Sequence, residues 1–171
     1  GLTNEKVFIS VARLSNEKNI DFMIEAIDRL RTETRVPFRF LMIGDGHQRD
    51  RLQKKIESLD LASHFTLAGA VQPEEMAIWY NLGDAFLFAS KSETQGMVIL
   101  EAMSAGLPVV AVRASGIEDV VRDGLNGYKT PENQARWLEK ARQLLEDDAL
   151  RAELSDKARS FAAGYSIEQF A

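Results

Sequence analysis

The sequence predicts an α/β domain built on a doubly wound parallel sheet, with helices closing its C-terminal end. Three observations carry this. Strand-like and helix-like segments alternate along the chain at a steady pace. The strand-like segments are continuous apolar runs, the pattern of strands buried on both faces. No internal repeat, low-complexity tract or linker interrupts the 171 residues, and that length suits one domain with a sizeable core.

The elements follow in order. Lys6–Ala12 is apolar and β-branched between polar neighbours, a buried strand. Asn19–Arg31 places Ile20, Met23, Ile24, Ile27 and Leu30 at helical spacing. Phe38–Gly44 is a second strand, and Gln48–Leu59 a charged helix with a Leu52/Ile56/Leu59 stripe. His64–Gly69 is a short strand. Pro73–Leu82 opens on Pro and two acids, a good helix N-terminus. Asp84–Ser90 is a strand, and Gly96–Gly106 a helix stopped by Gly106 and Pro108. Pro108–Val112 is a strand, Gly116–Gly124 a short helix, and Asn126–Pro131 a turn into a last short strand. From Glu132 the chain is helical, with breaks expected near Asp147–Asp148 and at Gly164.

The bulk numbers narrow the function. A net charge of −5 argues against a nucleic-acid-binding domain, which needs a basic footprint. There is no Cys, so disulfides and thiolate metal sites are excluded, and His47 and His64 are too few for a multi-His metal site. No apolar run approaches the ~20 residues of a membrane span, and no signal peptide is visible. The chain starts at Gly1, directly before a strand-like segment and without Met, and is read as a piece of a longer protein.

In doubly wound sheets ligands bind outside the carboxyl ends of the strands. That singles out the loops Arg13–Lys18, Gly44–Gly46, Gly69–Val71, Ser90–Gly96 and Arg113–Glu118. Arg13 and Lys18 follow the first strand directly. An unpartnered guanidinium is costly beside a buried strand, and a diphosphate would match its fork. Lys18 has the alternative of pairing with Glu17 or Asp21. The first amides of the helix at Gly96–Met97–Val98 have no internal partner and form a generic anion site. Ile99, Ala102 and Met103 share a face with Val98, and Glu101 lies off it, where simple solvation is an equal reading. Glu93 is explained as well by the positive helix end as by a ligand.

Other candidates have plain readings. Trp79 and Tyr80 pack a helix, His47 is exposed, His64 is structural, Lys129 is a surface residue, and Glu118–Asp119 cap a helix. Asp45 either caps the next helix or borders a ligand. No Asp-x-Asp, Gly-x-Gly-x-x-Gly or P-loop motif is present. Any diphosphate would therefore be neutralised by Arg, Lys and a helix end.

Taken together, "ARLSNEKNIDFMIEA", "LMIGDG", "LAGAV", "SETQGMVILEAMSAGLPVVAV" and "DGLNGY", in this order, resemble the C-terminal domain of GT-B glycosyltransferases of family GT4. Seven residues lie between Glu93 and Glu101, as in that family's motif. The resemblance covers nearly the whole chain and implies a Rossmann-like domain that binds a nucleotide-sugar donor. It implies that Arg13 and Lys18 hold the diphosphate and stabilise the leaving group, and that Glu93 contacts the sugar. The Gly96, Met97 and Val98 amides would receive sugar and distal phosphate beside Thr94 and Gln95, and Glu101 would hold the ribose. Gly69, Ala70 and Val71, with Gly44, would line the base.

The family pattern also implies retaining, metal-independent chemistry with no cofactor. "ETQG" in place of the common Glu-x-Phe-Gly, and "RASGIEDVV" in place of Gly-Gly-x-x-Glu, look like diacylglycerol glucosyltransferases. They point to glucose moved from UDP-glucose to a lipid acceptor, by a cytoplasmic enzyme peripheral to the membrane. GT-B enzymes need two such domains, and this chain holds one. The amino-terminal acceptor domain is the missing partner, and this chain alone is expected to bind donor weakly without turnover. The competing reading is a stand-alone nucleotide- or phosphate-binding module. A receiver- or flavodoxin-like domain is disfavoured by Arg13 where an acidic pocket would be needed.

Overall fold

The predicted strands are β1 (Lys6–Val11), β2 (Phe38–Ile43), β3 (Phe65–Gly69), β4 (Ala85–Phe88), β5 (Val109–Val112) and β6 (Gly127–Thr130). In the computed structural model they form one parallel sheet in the order β3-β2-β1-β4-β5-β6. The structure describes residues 5–92 and 96–170, with side chains as far as Tyr165. The strand order reverses between β1 and β4, and the crevice outside their carboxyl ends is the topological switch point.

The helices are α1 (Ile20–Glu33), α2 (Arg49–Ser58), α3 (Met76–Leu82), α4 (Met97–Ser104), α5 (Gln134–Glu146) and α6 (Asp148–Phe170). The strand period of two divides the core. Phe8, Phe40 and Leu87 meet α1, α2 and α5, whereas Ile9, Phe86 and Phe88 meet α3 and α4. The predicted α1 stripe of Ile20, Met23, Ile24, Ile27 and Leu30 is fully buried on the first face. α6 crosses between the layers, with Leu154 in the first cluster and Ala158 and Ala162 in the second. Trp137 of α5 is fully buried, meets the Phe22 ring edge-on at 5.5 Å, and donates its indole N–H to the Phe88 carbonyl at 3.1 Å. That bond fixes the end of β4, where the chain leaves for the crevice.

Four expectations are corrected. Gly116–Gly124 is not a helix but a single 3₁₀ turn, Ser115–Ile117, followed by turns. The cause is Asn126, which is fully buried. Its side-chain oxygen accepts from the Arg122 N–H at 2.8 Å, and its amide donates to the Val120 carbonyl at 2.9 Å. Those backbone groups are thereby satisfied without a helix. Gly164 does not break α6, which runs on to Phe170. A Cβ there would meet nothing within 4 Å, so the glycine costs only about 1 kcal/mol of helix propensity. Pro73 opens a 3₁₀ turn, Pro73–Glu75, and α3 begins at Met76. On α4 the buried set is Ile99, Leu100, Ala102 and Met103, while Val98 is half-buried. The apolar face is wider than a single stripe because α6 lies against α4 as well as the sheet.

α1 and α2 are joined by Asp21, which accepts from Arg51 at 2.7 and 3.0 Å and from Lys55 at 2.8 Å. The Arg51 hydrogen bond, then Lys55, lowers its carboxyl from 3.8 to about 2. The folded value lies below the unfolded one, so this stabilisation is fully present above about pH 4 and is lost as pH falls toward 2. Asp21 is 39% exposed, and solvent screening reduces the contribution to about 1 kcal/mol. Urea denaturation should show Asp21→Asn weaker than the parent by that amount at pH 6, with the gap closing at pH 2.5. A gap independent of pH would rule the ion pair out as its source.

Candidate functional site

The site is built where β1 and β4 part. Past Val11 the chain stays beside β2: the Ala12 N–H bonds the Ile43 carbonyl at 3.0 Å, and the Leu14 N–H bonds the Asp45 carbonyl at 3.0 Å. Leu14 is fully buried and anchors the loop, which turns Arg13 outward. Arg13 is exposed and has no ion-pair partner within 4.0 Å among the described residues. The predicted cost of a guanidinium beside a buried strand is therefore not incurred, because Arg13 points to water at the mouth of the crevice. Lys18 ends the 3₁₀ turn Asn16–Lys18 and is half-buried. Asn19 follows in the left-handed region, φ 59°, and starts α1.

Arg13 and Lys18 line a cavity of about 510 Å³ with Val11, Ala12, Glu17, Ile43, Gly44, Phe88 and Val98. Glu17, one of the lining residues, has an exposed carboxyl held below its usual range first by its own backbone N–H and then by Ser15. The Glu17 carbonyl accepts from the Lys91 N–H at 3.0 Å and from the Ser90 hydroxyl at 3.4 Å. The Ser90 hydroxyl donates at 2.7 Å to the Ser92 carbonyl. The turn carrying Lys18 is thus tied to the loop leaving β4.

α4 begins across the cavity. Gly96 is its N-cap, in the left-handed region at φ 62°, and supplies no capping side chain. A Cβ there would crowd Val120 at 3.3 Å and make ordinary contact with the Gly116 carbonyl at 3.5 Å. Met97 is 47% exposed and Val98 lines the cavity, so the first turn of α4 opens on it. Glu93, Thr94 and Gln95 lie outside the described residues. Gly44 lines the cavity at φ +135°, and its N–H bonds the Gly69 carbonyl at 2.9 Å. Gly69, exposed Ala70 and half-buried Val71 lie beyond that bridge, at the end of β3.

Glu101 stands apart from the cavity. It lies one turn after Val98 and is exposed, and its Oε2 accepts the Tyr80 hydroxyl proton at 3.1 Å. It borders the groove between α3 and α4, about 490 Å³, with Pro73, Met76, Ala77, Asn81, Ser104 and Ala105. The structure thus places Arg13, Lys18, Gly44 and Val98 in one cavity and Glu101 in a second groove, between α3 and α4.

A family model described as glycosyl transferases group 1 matches residues 2–161. The chain belongs to this family. Among relatives of this group 1 glycosyltransferase domain, the sulfoquinovosyl transferase SQD2 of Arabidopsis thaliana is 36% identical over 96% of this chain and 31% of its own length. The alpha-monoglucosyldiacylglycerol synthase of Acholeplasma laidlawii is 34% identical over 78% of this chain and 34% of its own. The structure of HepE from Anabaena, solved with UDP and glucose, matches with a TM-score of 0.84 at 25% identity, over 97% of this chain and 46% of that one. The chain therefore spans about a third of the curated relatives it matches first. Its fold is that of GT-B enzymes.

Several side chains of the group 1 domain differ from their sequence reading. Lys129 is not a surface residue: it is 12% exposed and donates to the Glu118 carbonyl at 2.8 Å and carboxylate at 3.1 Å. Glu118 is the C-cap of the 3₁₀ turn Ser115–Ile117, and its side chain pairs with Lys129 at 3.1 Å and, at 3.8 Å, with Arg113. Asp45 accepts from the adjacent Gly46 N–H at 2.8 Å rather than capping α2, whose N-cap is Gln48. His47 is exposed, and His64 lies 5.0 Å from the Phe38 ring, as a structural residue would. Tyr80 packs near Phe86 at 6.3 Å, as expected, but also carries the bond to Glu101. Glu17 enters the sequence reading only as a partner for Lys18. Its place in the cavity follows from the 3₁₀ turn, which no periodicity announces.

Proposed function

We propose that this chain is the donor-binding domain of a retaining, metal-independent glycosyltransferase that moves glucose from UDP-glucose to a lipid acceptor such as diacylglycerol. The observation that carries this reading is the approach of Arg13, Lys18 and the first turn of α4 to one cavity at the switch point. Two cations and a helix N-terminus suit a diphosphate. As the glycosidic bond breaks, negative charge grows on the departing nucleoside diphosphate, and fixed donors aimed there lower the barrier. Glu93 would hold the sugar hydroxyls, Glu101 the ribose, and the Gly44–Gly69 bridge with Ala70 and Val71 would border the base.

The lipid acceptor is supported by the alpha-monoglucosyldiacylglycerol synthase relative, and the donor by the UDP and glucose held by HepE. The acceptor would sit on an amino-terminal domain of the parent enzyme, at the cytoplasmic face of the membrane. Among the described residues no helix is long and apolar enough to cross one. Without a second domain the crevice stays wet, and water weakens every electrostatic contact in it. The chain alone should therefore bind donor weakly and turn nothing over.

Calorimetry with UDP-glucose, with and without magnesium, tests this reading. Binding in the high-micromolar to millimolar range, unchanged by magnesium, is expected. Equal affinity for UDP and UDP-glucose would favour a plain nucleotide-binding module, and no binding to the folded domain would reject the donor role.

A further inference from the structure

Tyr80 lines the groove beside Glu101 but is only 3% exposed, so it offers a ligand little surface of its own. Its ring is fixed in the core near Phe86, and its hydroxyl reaches out of the α3 face to Glu101 at 3.1 Å. Glu101 is exposed and projects from an eight-residue helix, and its carboxylate has no other hydrogen bond among the described residues. A glutamate so placed samples several rotamers, and each ligand contact must overcome that freedom. The tyrosine removes much of it. It occupies one lone pair of Oε2 and leaves Oε1 and the rest of Oε2 able to accept. Two oxygens of one carboxylate fit two neighbouring hydroxyls.

We infer that Tyr80 is a positioning residue that holds Glu101 for a vicinal diol and so makes the site select ribose over deoxyribose. This rests on the donor-binding reading and deepens it. The phenol is a lasting donor: burial first, then the Glu101 charge, pushes it well above its ordinary value. It stays protonated throughout the range in which the domain would work.

The test compares UDP with 2′,3′-dideoxyuridine 5′-diphosphate by calorimetry on the parent chain, Tyr80→Phe, Glu101→Ala and the double variant. The parent chain should prefer UDP about tenfold. Tyr80→Phe keeps the ring, and should weaken UDP about fivefold while leaving the dideoxy nucleotide unchanged, the size of one typical net hydrogen bond. The double variant should bind like Glu101→Ala, because Tyr80 acts only through Glu101. A merely structural tyrosine would weaken both nucleotides together. Undiminished preference for UDP in Tyr80→Phe overturns the inference and leaves the donor reading standing. A parent chain that binds UDP without preferring it removes the ribose role of Glu101, and the inference with it. Failure to bind either nucleotide rejects the donor reading itself. Should Tyr80→Phe not fold, Glu101→Asp serves instead: it retracts the carboxylate from Tyr80 and should show the same selective loss.

Discussion

Arg13→Ala combined with Lys18→Ala should abolish measurable UDP binding while leaving the fold intact. Arg13 is exposed and bears no ion pair within 4.0 Å among the described residues, and Lys18 is half-buried on a 3₁₀ turn. Neither side chain belongs to the core, so thermal unfolding should shift by no more than about 2 °C. Binding is different. Each hydrogen bond to a charged phosphate oxygen contributes about 1.5–3 kcal/mol, or roughly ten- to a hundredfold in affinity. Two such losses move a weak millimolar ligand out of reach. Arg13→Lys should recover only part of the affinity, since an ammonium keeps the charge but lacks the planar fork. Raising salt from about 50 to 500 mM should weaken UDP in the parent chain, because the open crevice is screened. Unchanged UDP affinity in the double variant would remove both residues from the donor site.

These residues were legible because their position follows from one strand. The apolar run Lys6–Ala12 must be a buried strand, and whatever follows it emerges at its carboxyl edge. The same logic placed Gly44 and Gly69, because both end strands. It worked less well where a side chain replaces regular structure. Asn126 organises Val120–Asn126 through two local hydrogen bonds, and a sequence holding Gly at both ends reads the same with or without them. The Lys129–Glu118 contact joins the β5–β6 connection to β6, and the Tyr80–Glu101 contact joins residues 21 apart on two helices. Periodicity sees neither, because it reports which face a residue takes and not what it meets there. Val98 shows a milder form of this. Its spacing puts it on the α4 apolar face, yet it is half-buried and opens on the cavity while Leu100 is buried.

Gly44→Ala should be among the most damaging single methyl additions to this chain. A Cβ at Gly44 would lie 1.9 Å from the Ala12 carbonyl oxygen and 2.9 Å from its carbon. Both are backbone atoms, and the obstruction cannot rotate away. Ala12 is held by its bond to Ile43, and Gly44 by its bond to Gly69, so relief requires parting β1 from β2 at the mouth of the crevice. The φ of +135° adds strain for any L side chain. A loss of about 3–5 kcal/mol is expected, which for a domain of this size lowers Tm by roughly 6–20 °C. UDP binding should fall with it, since the displaced segment carries Arg13. Two control glycines separate the causes. Gly124→Ala meets the same kind of backbone penalty at φ +76° but has open space around it, so strain alone should cost about 1–2 kcal/mol. Gly164→Ala has open space and helical backbone, and should stabilise α6 by up to about 1 kcal/mol. Thermal melts of the three variants should therefore rank Gly164→Ala above the parent chain, then Gly124→Ala, then Gly44→Ala well below. A Gly44→Ala protein melting with the parent would mean that β1 and β2 can separate there freely. The glycine would then owe its place to a close ligand rather than to the Ala12 carbonyl.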